Sequence, residues 1–226
     1  MTPAAAPAAS GFGTGIDDGW YRDVTDFAQR THWLQPFMSA YTTAGVAALA
    51  VLAALAWWPA RRAGDRTAMT AVVWTGVGTV VAVAANLGLK QVFTETRPCD
   101  ALAHVVTVQP CPGLTDYSFP SNHTTIATAL ALGVFLINRR LGAIAIVLAA
   151  LEGFSRVYLG QHYPHDVIAA AFISSTLMLL GWPVVRNPLT GLLRWAERTP
   201  LRPLLTSAES ADTAPAPTEL HHTTAG

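Results

Sequence analysis

Three short clusters of polar residues interrupt an otherwise apolar chain, and together they contain residue types that bind and cleave phosphate esters. The first cluster is K-x6-R-P, the second is P-S-N-H, and the third is S-R-x5-H-x3-D. Their polar members are Lys90, Arg97, Ser121, Asn122, His123, Ser155, Arg156, His162 and Asp166. Arginine presents a bidentate fork to phosphate oxygens, and lysine presents a point charge. Three convergent cations therefore predict a multivalent anion as the ligand, and phosphate fits best.

The histidines in these clusters could supply the chemistry. His162 precedes Asp166 by four residues, so the carboxylate can accept from one imidazole nitrogen and make the other a better nucleophile or base. His123 belongs to a different predicted helix, and it could protonate the departing oxygen while His162 attacks phosphorus, without a metal. The alternative is that His123, His162, His165 and Asp166 hold a metal ion, although three nearby cations disfavour a bound dication. His165 is otherwise interpreted as structural or merely nearby.

Residues beside the clusters are expected to support them. Glu152 lies one helical turn before Arg156 and is expected to pair with its guanidinium, and Ser155 directly precedes that arginine. Asn86 lies one turn before Lys90, where it either supports the lysine or makes a contact between helices. These residues are candidates for holding the cations in place.

The composition indicates a membrane protein. Hydrophobic residues make up 51% of the 226 residues and charged residues 12%, against about 25% charged in a typical soluble domain. The net charge is formally zero, which gives no reason to expect nucleic acid as a partner. The two cysteines, Cys99 and Cys111, are too few for a cysteine metal cage; they form either one loop-closing disulfide or two unpaired thiols.

Five apolar stretches are long enough to cross a bilayer, which takes about 20 helical residues. These stretches are 38–58, 69–89, 121–138, 141–160 and 167–185. Because lipid offers no hydrogen-bond partners to an open strand, each stretch is expected to be a helix. The predicted fold class is all-α: an integral membrane bundle of about five transmembrane helices with an interfacial amphipathic helix before it.

The expected domain organisation follows from these stretches. It comprises a flexible N-terminus at 1–16, an interfacial helix at 17–37, a transmembrane catalytic domain at 38–185, a cytoplasmic amphipathic segment at 186–205 and a disordered tail at 206–226. In the interfacial helix, Asp17 or Asp18 is expected to cap the start. An apolar stripe at three- and four-residue spacing is predicted to face the membrane. The stripe consists of Trp20, Val24, Phe27, Thr31 and Leu34. An ordinary docking helix is the alternative.

The arginines predict the orientation. In a five-span topology, three arginine clusters fall on the same side of the membrane, and that side is expected to be cytoplasmic. The clusters are Arg61, Arg62 and Arg66; Arg139 and Arg140; and Arg186, Arg194, Arg198 and Arg202. The predicted location is the cell membrane, with the N-terminus and the polar clusters outside and the C-terminus in the cytoplasm.

Taken together, the three clusters resemble the signature motifs of the type 2 phosphatidic acid phosphatase (PAP2) superfamily, over residues 38–185 in order and topology. The resemblance implies that His162 is a nucleophile that forms a phosphohistidine, that Asp166 orients it, and that His123 is the general acid. It also implies a set of ligands for the phosphoryl oxygens: Lys90, Arg97, Ser121 and Arg156. One departure is Asn122, where the family usually has glycine; its amide is a further candidate phosphate ligand.

The resemblance implies a membrane phosphatase that acts on a lipid phosphate or lipid pyrophosphate, with a polyprenyl or glycerolipid tail between helices and no metal or cofactor. Two alternatives remain open: a phosphotransferase that uses the same site, and a non-catalytic protein that binds lipid phosphates. The expected partners are the lipid substrate and membrane lipids. Neither the choice of lipid nor the oligomeric state follows from the sequence.

Overall fold

The computed structural model describes residues 16–113 and 115–207. The part of the chain that it describes is helical, with eight helices and the loops that join them. The helices are α1 (Ile16–Arg30), α2 (Gln35–Ala63), α3 (Arg66–Phe93), α4 (Pro98–Ala101), α5 (Asn122–Ile137), α6 (Arg139–Tyr158), α7 (Pro164–Ala196) and α8 (Arg202–Leu205). The expectations of a flexible N-terminus at 1–16 and a disordered tail at 206–226 fall mostly on residues 1–15 and 208–226, which lie outside the described residues; Ile16 itself begins α1.

Four helices are long and apolar enough to cross a membrane: α2, α3, α6 and α7. The fifth predicted span is α5, which has only 16 residues. It lies at the centre of the bundle and contacts all four long helices. Small buried residues such as Ala127, Ala129 and Ala131 form its surface, which lets the neighbouring backbones approach closely. The all-α membrane bundle is confirmed, with four long spans around a shorter central helix.

Capping residues mark where the helices turn. Asp65 accepts hydrogen bonds from the backbone N–H groups of Thr67 and Ala68 at the start of α3, and Asn138 does the same for α6. Each cap satisfies amides that the first helical turn leaves unpaired. The resulting tight connections alternate the helix directions, so the end of α3, the start of α5, the end of α6 and the start of α7 meet at one end of the bundle.

Helix α1 docks on that end of the bundle, largely through residues outside the predicted membrane-facing stripe. Tyr21, Thr25 and Ala28 are buried, whereas Trp20 and Phe27 of the predicted stripe are exposed. The phenol of Tyr21 donates to the carbonyl of Gly160 at 2.9 Å, which fixes the helix on the α6–α7 turn. The helix also ends at Arg30 instead of continuing to 37. Val24 and Leu34 of the stripe are partly buried against the bundle, and the exposed Trp20 and Phe27 remain free to contact a membrane, so the interfacial role of the stripe stays a prediction.

The last long helix does not stop where the amphipathic segment was predicted to begin. α7 continues to Ala196 with Pro183 and Pro188 inside it, so residue 186 lies within one helix. Near its end, Glu197 pairs with Arg66 at 3.2 Å and ties α7 to the start of α3. The predicted segment 186–205 is therefore mostly the final turns of α7.

The segment between α3 and α5 is held by covalent and backbone contacts. Cys99 and Cys111 form a disulfide whose Cα atoms are 5.9 Å apart. The N–H of Ser118 donates to the carbonyl of Glu95 at 2.7 Å. The peptide bond between Phe119 and Pro120 is cis and leads directly into α5. This connection places residues 94–121 over the end of the bundle where the polar clusters meet.

Candidate active site

The three polar clusters come together at one end of the bundle. Lys90 lies in the last turn of α3, Ser121 caps α5, and Arg156 lies in the last turn of α6. His162 occupies the turn between α6 and α7, and Asp166 lies in the first turn of α7. A backbone hydrogen bond of 3.3 Å from Ser121 to the carbonyl of Asp166 joins the second cluster to the third. All of these side chains are at least nine-tenths buried.

His162 has a defined tautomer. Its Nδ1 lies 3.2 Å from Oδ2 of Asp166, and its Nε2 lies 3.2 Å from Nη1 of Arg97. A guanidinium only donates hydrogen bonds, so Nε2 must accept and the ring proton must be on Nδ1. Burial and the positive charges of Arg97 and Arg156 hold the pKa of His162 well below its usual range. The lone pair is therefore on Nε2, where it accepts the hydrogen bond from Arg97, and it becomes a nucleophile once that guanidinium turns to another acceptor.

The carboxylate of Asp166 is held by groups that sequence reasoning missed. Oδ2 accepts from the backbone N–H of Tyr163 at 2.9 Å and from the hydroxyl of Ser118. Ser118 is fully buried and also lies 3.5 Å from Nδ1 of His162. Its position two residues before Pro120 gave no signal in the sequence, because its partners are more than forty residues away.

Two of the predicted phosphate ligands face an acidic residue. Arg97 Nη2 lies 3.0 Å from Oδ2 of Asp116, and Lys90 Nζ lies 3.9 Å from Oδ1 of the same carboxylate. The Asp116 side chain is half-exposed, and the two cations are almost completely buried. A carboxylate held by two cations presents the same kind of anionic oxygens as a phosphate, so a phosphate bound there would compete with Asp116.

The third cation is oriented through an unpredicted residue. Arg156 Nη1 donates to Oγ1 of Thr42 at 3.0 Å, and that hydroxyl donates to Oε1 of Glu152 at 3.1 Å. The expected direct pair between Glu152 and Arg156 is absent from the ion pairs of the described residues, so that prediction was wrong. Residue 42 lies in α2, and sequence spacing cannot reveal so distant a partner. Nε of Arg156 is buried and has no hydrogen-bond partner among the residues described, which leaves a donor for a ligand.

The hydroxyl of Ser121 can still donate to a ligand. Its oxygen accepts from the N–H of Thr124 at 3.5 Å and from the hydroxyl of Thr124 at 3.1 Å, so its own proton remains available. Ser155, by contrast, donates to the backbone carbonyl of Glu152 at 2.7 Å. Its hydroxyl is thus engaged within α6 and does not reach the other polar clusters.

Asn122 is the first residue of α5, and its side chain is turned toward α3. Its Oδ1 accepts a hydrogen bond from Nδ2 of Asn86. Asn86 is buried, and its own Oδ1 accepts from the hydroxyl of Thr125 at 2.8 Å. The positive-φ residues other than glycine in the described chain are Thr94 and His104. Position 122 therefore does not need the conformational freedom of glycine, and Asn86 acts as a contact between helices.

The remaining histidines lie in two different settings. His123 is half-buried in the first turn of α5, within the electrostatic reach of Arg97, Arg156 and Asp116. His165 contacts Asp17, Glu95 and Asp166, so Asp17 serves α7 and not its own helix. The predicted metal set of His123, His162, His165 and Asp166 does not converge. Instead, Glu95, His165 and Asp166 place potential ligand atoms within 4.8 Å of one another.

Comparison with known proteins gives a family match. The model of the PAP2 superfamily matches residues 71–189, just over half of the chain. The undecaprenyl-diphosphatase BcrC of Bacillus subtilis is 32% identical over 111 residues, which cover 49% of this chain and 56% of that protein. The decaprenylphosphoryl-5-phosphoribose phosphatase of Mycobacterium tuberculosis is 37% identical over 103 residues, which cover 45% of this chain and 54% of that protein. The chain spans about half the length of these curated relatives.

A solved structure shows the same fold. The transmembrane PAP2-type phosphatidylglycerolphosphate phosphatase of Bacillus subtilis superposes with a TM-score of 0.54 at 22% identity. The superposition covers 82% of this chain and 90% of that one. The helical bundle is therefore shared across this match.

Proposed function

Because the chain belongs to the PAP2 superfamily and is a multi-pass membrane bundle, we propose that it hydrolyses the phosphate or diphosphate of a membrane lipid through a phosphohistidine at His162. The observation that carries this proposal is the environment of His162. Its Nδ1 is directed to Asp166, its Nε2 is unprotonated, and buried cations lie beside it. A neutral, oriented nitrogen surrounded by phosphate-binding groups is suited to attack phosphorus.

The reaction has two balanced steps. When an anionic phosphate binds, Arg97 turns from Nε2 of His162 to a phosphate oxygen, and the negative charge favours a protonated His123. Nε2 then forms a bond to phosphorus while the bond from phosphorus to the departing oxygen of the lipid alcohol or lipid phosphate breaks, and His123 gives its proton to that oxygen. Water then attacks the phosphohistidine and gives a proton to His123, and cleavage of the P–N bond releases inorganic phosphate. Arg97, Arg156 and Lys90 stabilise the charge on the phosphoryl oxygens in both steps.

A groove beside the site supports a lipid as the substrate. It has a volume of about 240 Å³ and lies between α5, α6 and α7. It begins at Thr124, next to His123, and its lining includes Ala131, Ala149, Ala150, Gly153 and Ala171. Small apolar side chains there leave room for one hydrocarbon chain beside the start of α5. We infer that a polyprenyl or acyl tail occupies this groove.

The relatives' names point to candidate substrates. One matched protein is named for undecaprenyl diphosphate and another for decaprenylphosphoryl-5-phosphoribose. The test is a panel of polyprenyl diphosphates, polyprenyl phosphosugar phosphates, phosphatidic acid and phosphatidylglycerol phosphate, with inorganic phosphate measured. Release from at least one lipid is expected. No release from any of them, or phosphate recovered only on an added acceptor hydroxyl, would reject hydrolysis.

Filling the groove should weaken the binding of lipid substrates selectively. Ala150 lines the groove and is exposed, so Ala150→Leu would occupy part of the space for the tail. We expect KM for a long-tailed lipid phosphate to rise about tenfold, since a misfit of even one methylene costs about 1–3 kcal/mol. Activity on a water-soluble phosphate ester should not change. Ala47→Leu, at an exposed alanine of α2, is the matched control, and equal effects of both variants would refute the groove assignment.

Removing the carboxylate that competes for the cations should tighten phosphate binding. Asp116→Asn frees Lys90 and Arg97 from their anionic partner. We expect the inhibition constant of inorganic phosphate to fall by up to about fivefold, because partly exposed ion pairs contribute about 1 kcal/mol or less. The measurement is product inhibition of the purified protein. Weaker phosphate inhibition in the variant would show that Asp116 supports the ligand instead of competing with it.

The pH dependence of kcat/KM tests the charge state of His162. The pKa of this residue is held below its ordinary value of about 6.5, so the neutral ring should persist as the pH falls through that value. kcat/KM should therefore keep its plateau there and decline only at more acidic pH, once Nε2 is protonated. The profile must be corrected for the second ionisation of the substrate phosphate, near about 6. A midpoint close to 6.5 after that correction would contradict the structure.

The site is proposed to face the outside of the cell membrane, with the C-terminus in the cytoplasm. The disulfide between Cys99 and Cys111 lies at the same end as the site, and disulfides persist in oxidising compartments. The arginine-rich turns lie at the other end, as the positive-inside rule expects. A cysteine at exposed position Trp33 should react with an impermeant maleimide in intact cells, and one at Ala63 should not. The reverse labelling pattern would overturn this orientation.

A further inference from the structure

His165 joins three structural elements beneath the site. Its Nδ1 lies 2.6 Å from Oδ2 of Asp17 in α1, and its Nε2 lies 3.1 Å from Oε2 of Glu95. The same Nε2 is 3.3 Å from Oδ1 of Asp166. The backbone N–H of His165 also donates to Oδ1 of Asp17 at 3.2 Å. One imidazole thus contacts carboxylates of α1, of the segment after α3, and of α7.

These contacts define the charge of the ring. Ionised carboxylates accept hydrogen bonds and cannot donate them, so both nitrogens of His165 must carry protons, which makes the ring an imidazolium. Tyr163 stacks on the ring at 5.4 Å and an angle of 17°, and Phe119 lies 5.8 Å away at 30°. Aromatic faces favour a cation between them. The ring is therefore fixed in both position and charge.

Asp166 needs such a partner. Its carboxyl is completely buried, and its Oδ2 serves Ser118, Tyr163 and His162. No hydrogen bond from the described residues reaches Oδ1. The charged group that this oxygen contacts is the His165 ring, whose Nε2 lies 3.3 Å away. A buried carboxylate is costly unless a charge compensates it, and the other cation acting on Asp166 is Lys90, which binds Asp116 and backbone carbonyls.

We propose that His165 is a positioning residue. Its imidazolium keeps Asp166 ionised, and the ionised Asp166 keeps the ring proton of His162 on Nδ1, so that the attacking nitrogen Nε2 stays unprotonated. This inference rests on the proposed phosphohistidine chemistry. Without the cation, Asp166 would take up a proton at a higher pH, and a protonated Asp166 would no longer hold the tautomer of His162. Glu95 and Asp17 keep His165 charged, and they attach the loop after α3 and α1 to the active site.

The test compares His165→Gln and His165→Lys in the purified full-length protein. Glutamine keeps hydrogen bonding and loses the charge, and lysine keeps a cation. For the glutamine variant we expect kcat to fall about tenfold or more at neutral pH, with KM nearly unchanged, and the acid limb of the rate profile to move up by about one pH unit. The lysine variant should keep the limb near that of the wild type. The proposal is overturned if the acid limb of the rate profile does not move in the glutamine variant, or if it moves equally in both variants.

Two further measurements separate this proposal from its premise. Between about pH 5 and pH 9, the Tm of the wild type should exceed that of His165→Gln most at the acidic end, and the gap should close as the imidazolium loses its proton. This measurement needs no turnover. A Tm difference that stays the same across this pH range would therefore overturn the proposal even if no lipid were hydrolysed. Loss of wild-type activity in EDTA and its recovery with Zn²⁺ would instead assign Glu95, His165 and Asp166 to a metal and overturn the imidazolium.

Discussion

Replacement of His162 by alanine is expected to lower phosphate release from a lipid phosphate by at least about 10⁴-fold, because removal of a covalent nucleophile leaves only binding and charge stabilisation. The cations that hold the phosphate would remain, so substrate affinity should change little. Rapid quenching of the wild type with radiolabelled substrate should trap an acid-labile phosphoprotein. The variant should give none.

His32→Ala is the control for this experiment. His32 is exposed near the start of α2 and contacts Gln35 at 3.1 Å, away from the three polar clusters. Its substitution should leave both phosphate release and phosphoprotein formation intact. If His162→Ala still formed an acid-labile phosphoprotein, another histidine would be the nucleophile, and the geometry around Nε2 would have to serve a different purpose.

The polar clusters were predictable because the membrane limits where charged groups can lie. Lys90, Arg97 and Arg156 lie on the less basic side of the bundle, and a cation in such a place calls for an anionic ligand. The helices were also predictable, since the bilayer demands long apolar stretches. The structure brings these residues together, as the family resemblance implied. What the sequence could say about this site came from composition, sidedness and motif spacing.

Contacts between distant parts of the chain were not predictable. Thr42 links Glu152 to Arg156 across more than one hundred residues, and Ser118 reaches Asp166 across 48. Such polar residues look unremarkable in sequence because only the packing of helices defines their partners. The helical turn rule suggested a direct pair between Glu152 and Arg156, and a hydroxyl from α2 intervenes instead.

His165 shows why the local environment matters more than motif spacing. It lies beside the predicted catalytic residues and off their pattern, so the sequence suggested only a metal ligand or a structural residue. Asp17 and Glu95 give it one, and they come from segments 148 and 70 residues away.

Replacement of His123 by alanine should have an effect that depends on the leaving group. A general acid contributes about 10²–10⁴-fold when the departing oxygen is strongly basic, as in a lipid alkoxide. It matters far less when the leaving group is already a stable anion. We therefore expect a loss in that range for a lipid monoester, and a loss below about tenfold for a nitrophenyl phosphate. The measurement is kcat with both substrates.

His162→Ala serves as the matched control, because loss of the nucleophile should abolish turnover of both substrates alike. Equal losses for the two substrates in His123→Ala would mean that His123 binds the phosphate and does not donate a proton. The same comparison extends to a lipid diphosphate. A lipid diphosphate releases a lipid monophosphate, which is a weaker base than an alkoxide and needs less help from an acid. A small effect of His123→Ala on a polyprenyl diphosphate and a large effect on a monoester would therefore show that one site can serve both substrates, with His123 essential only for the monoester.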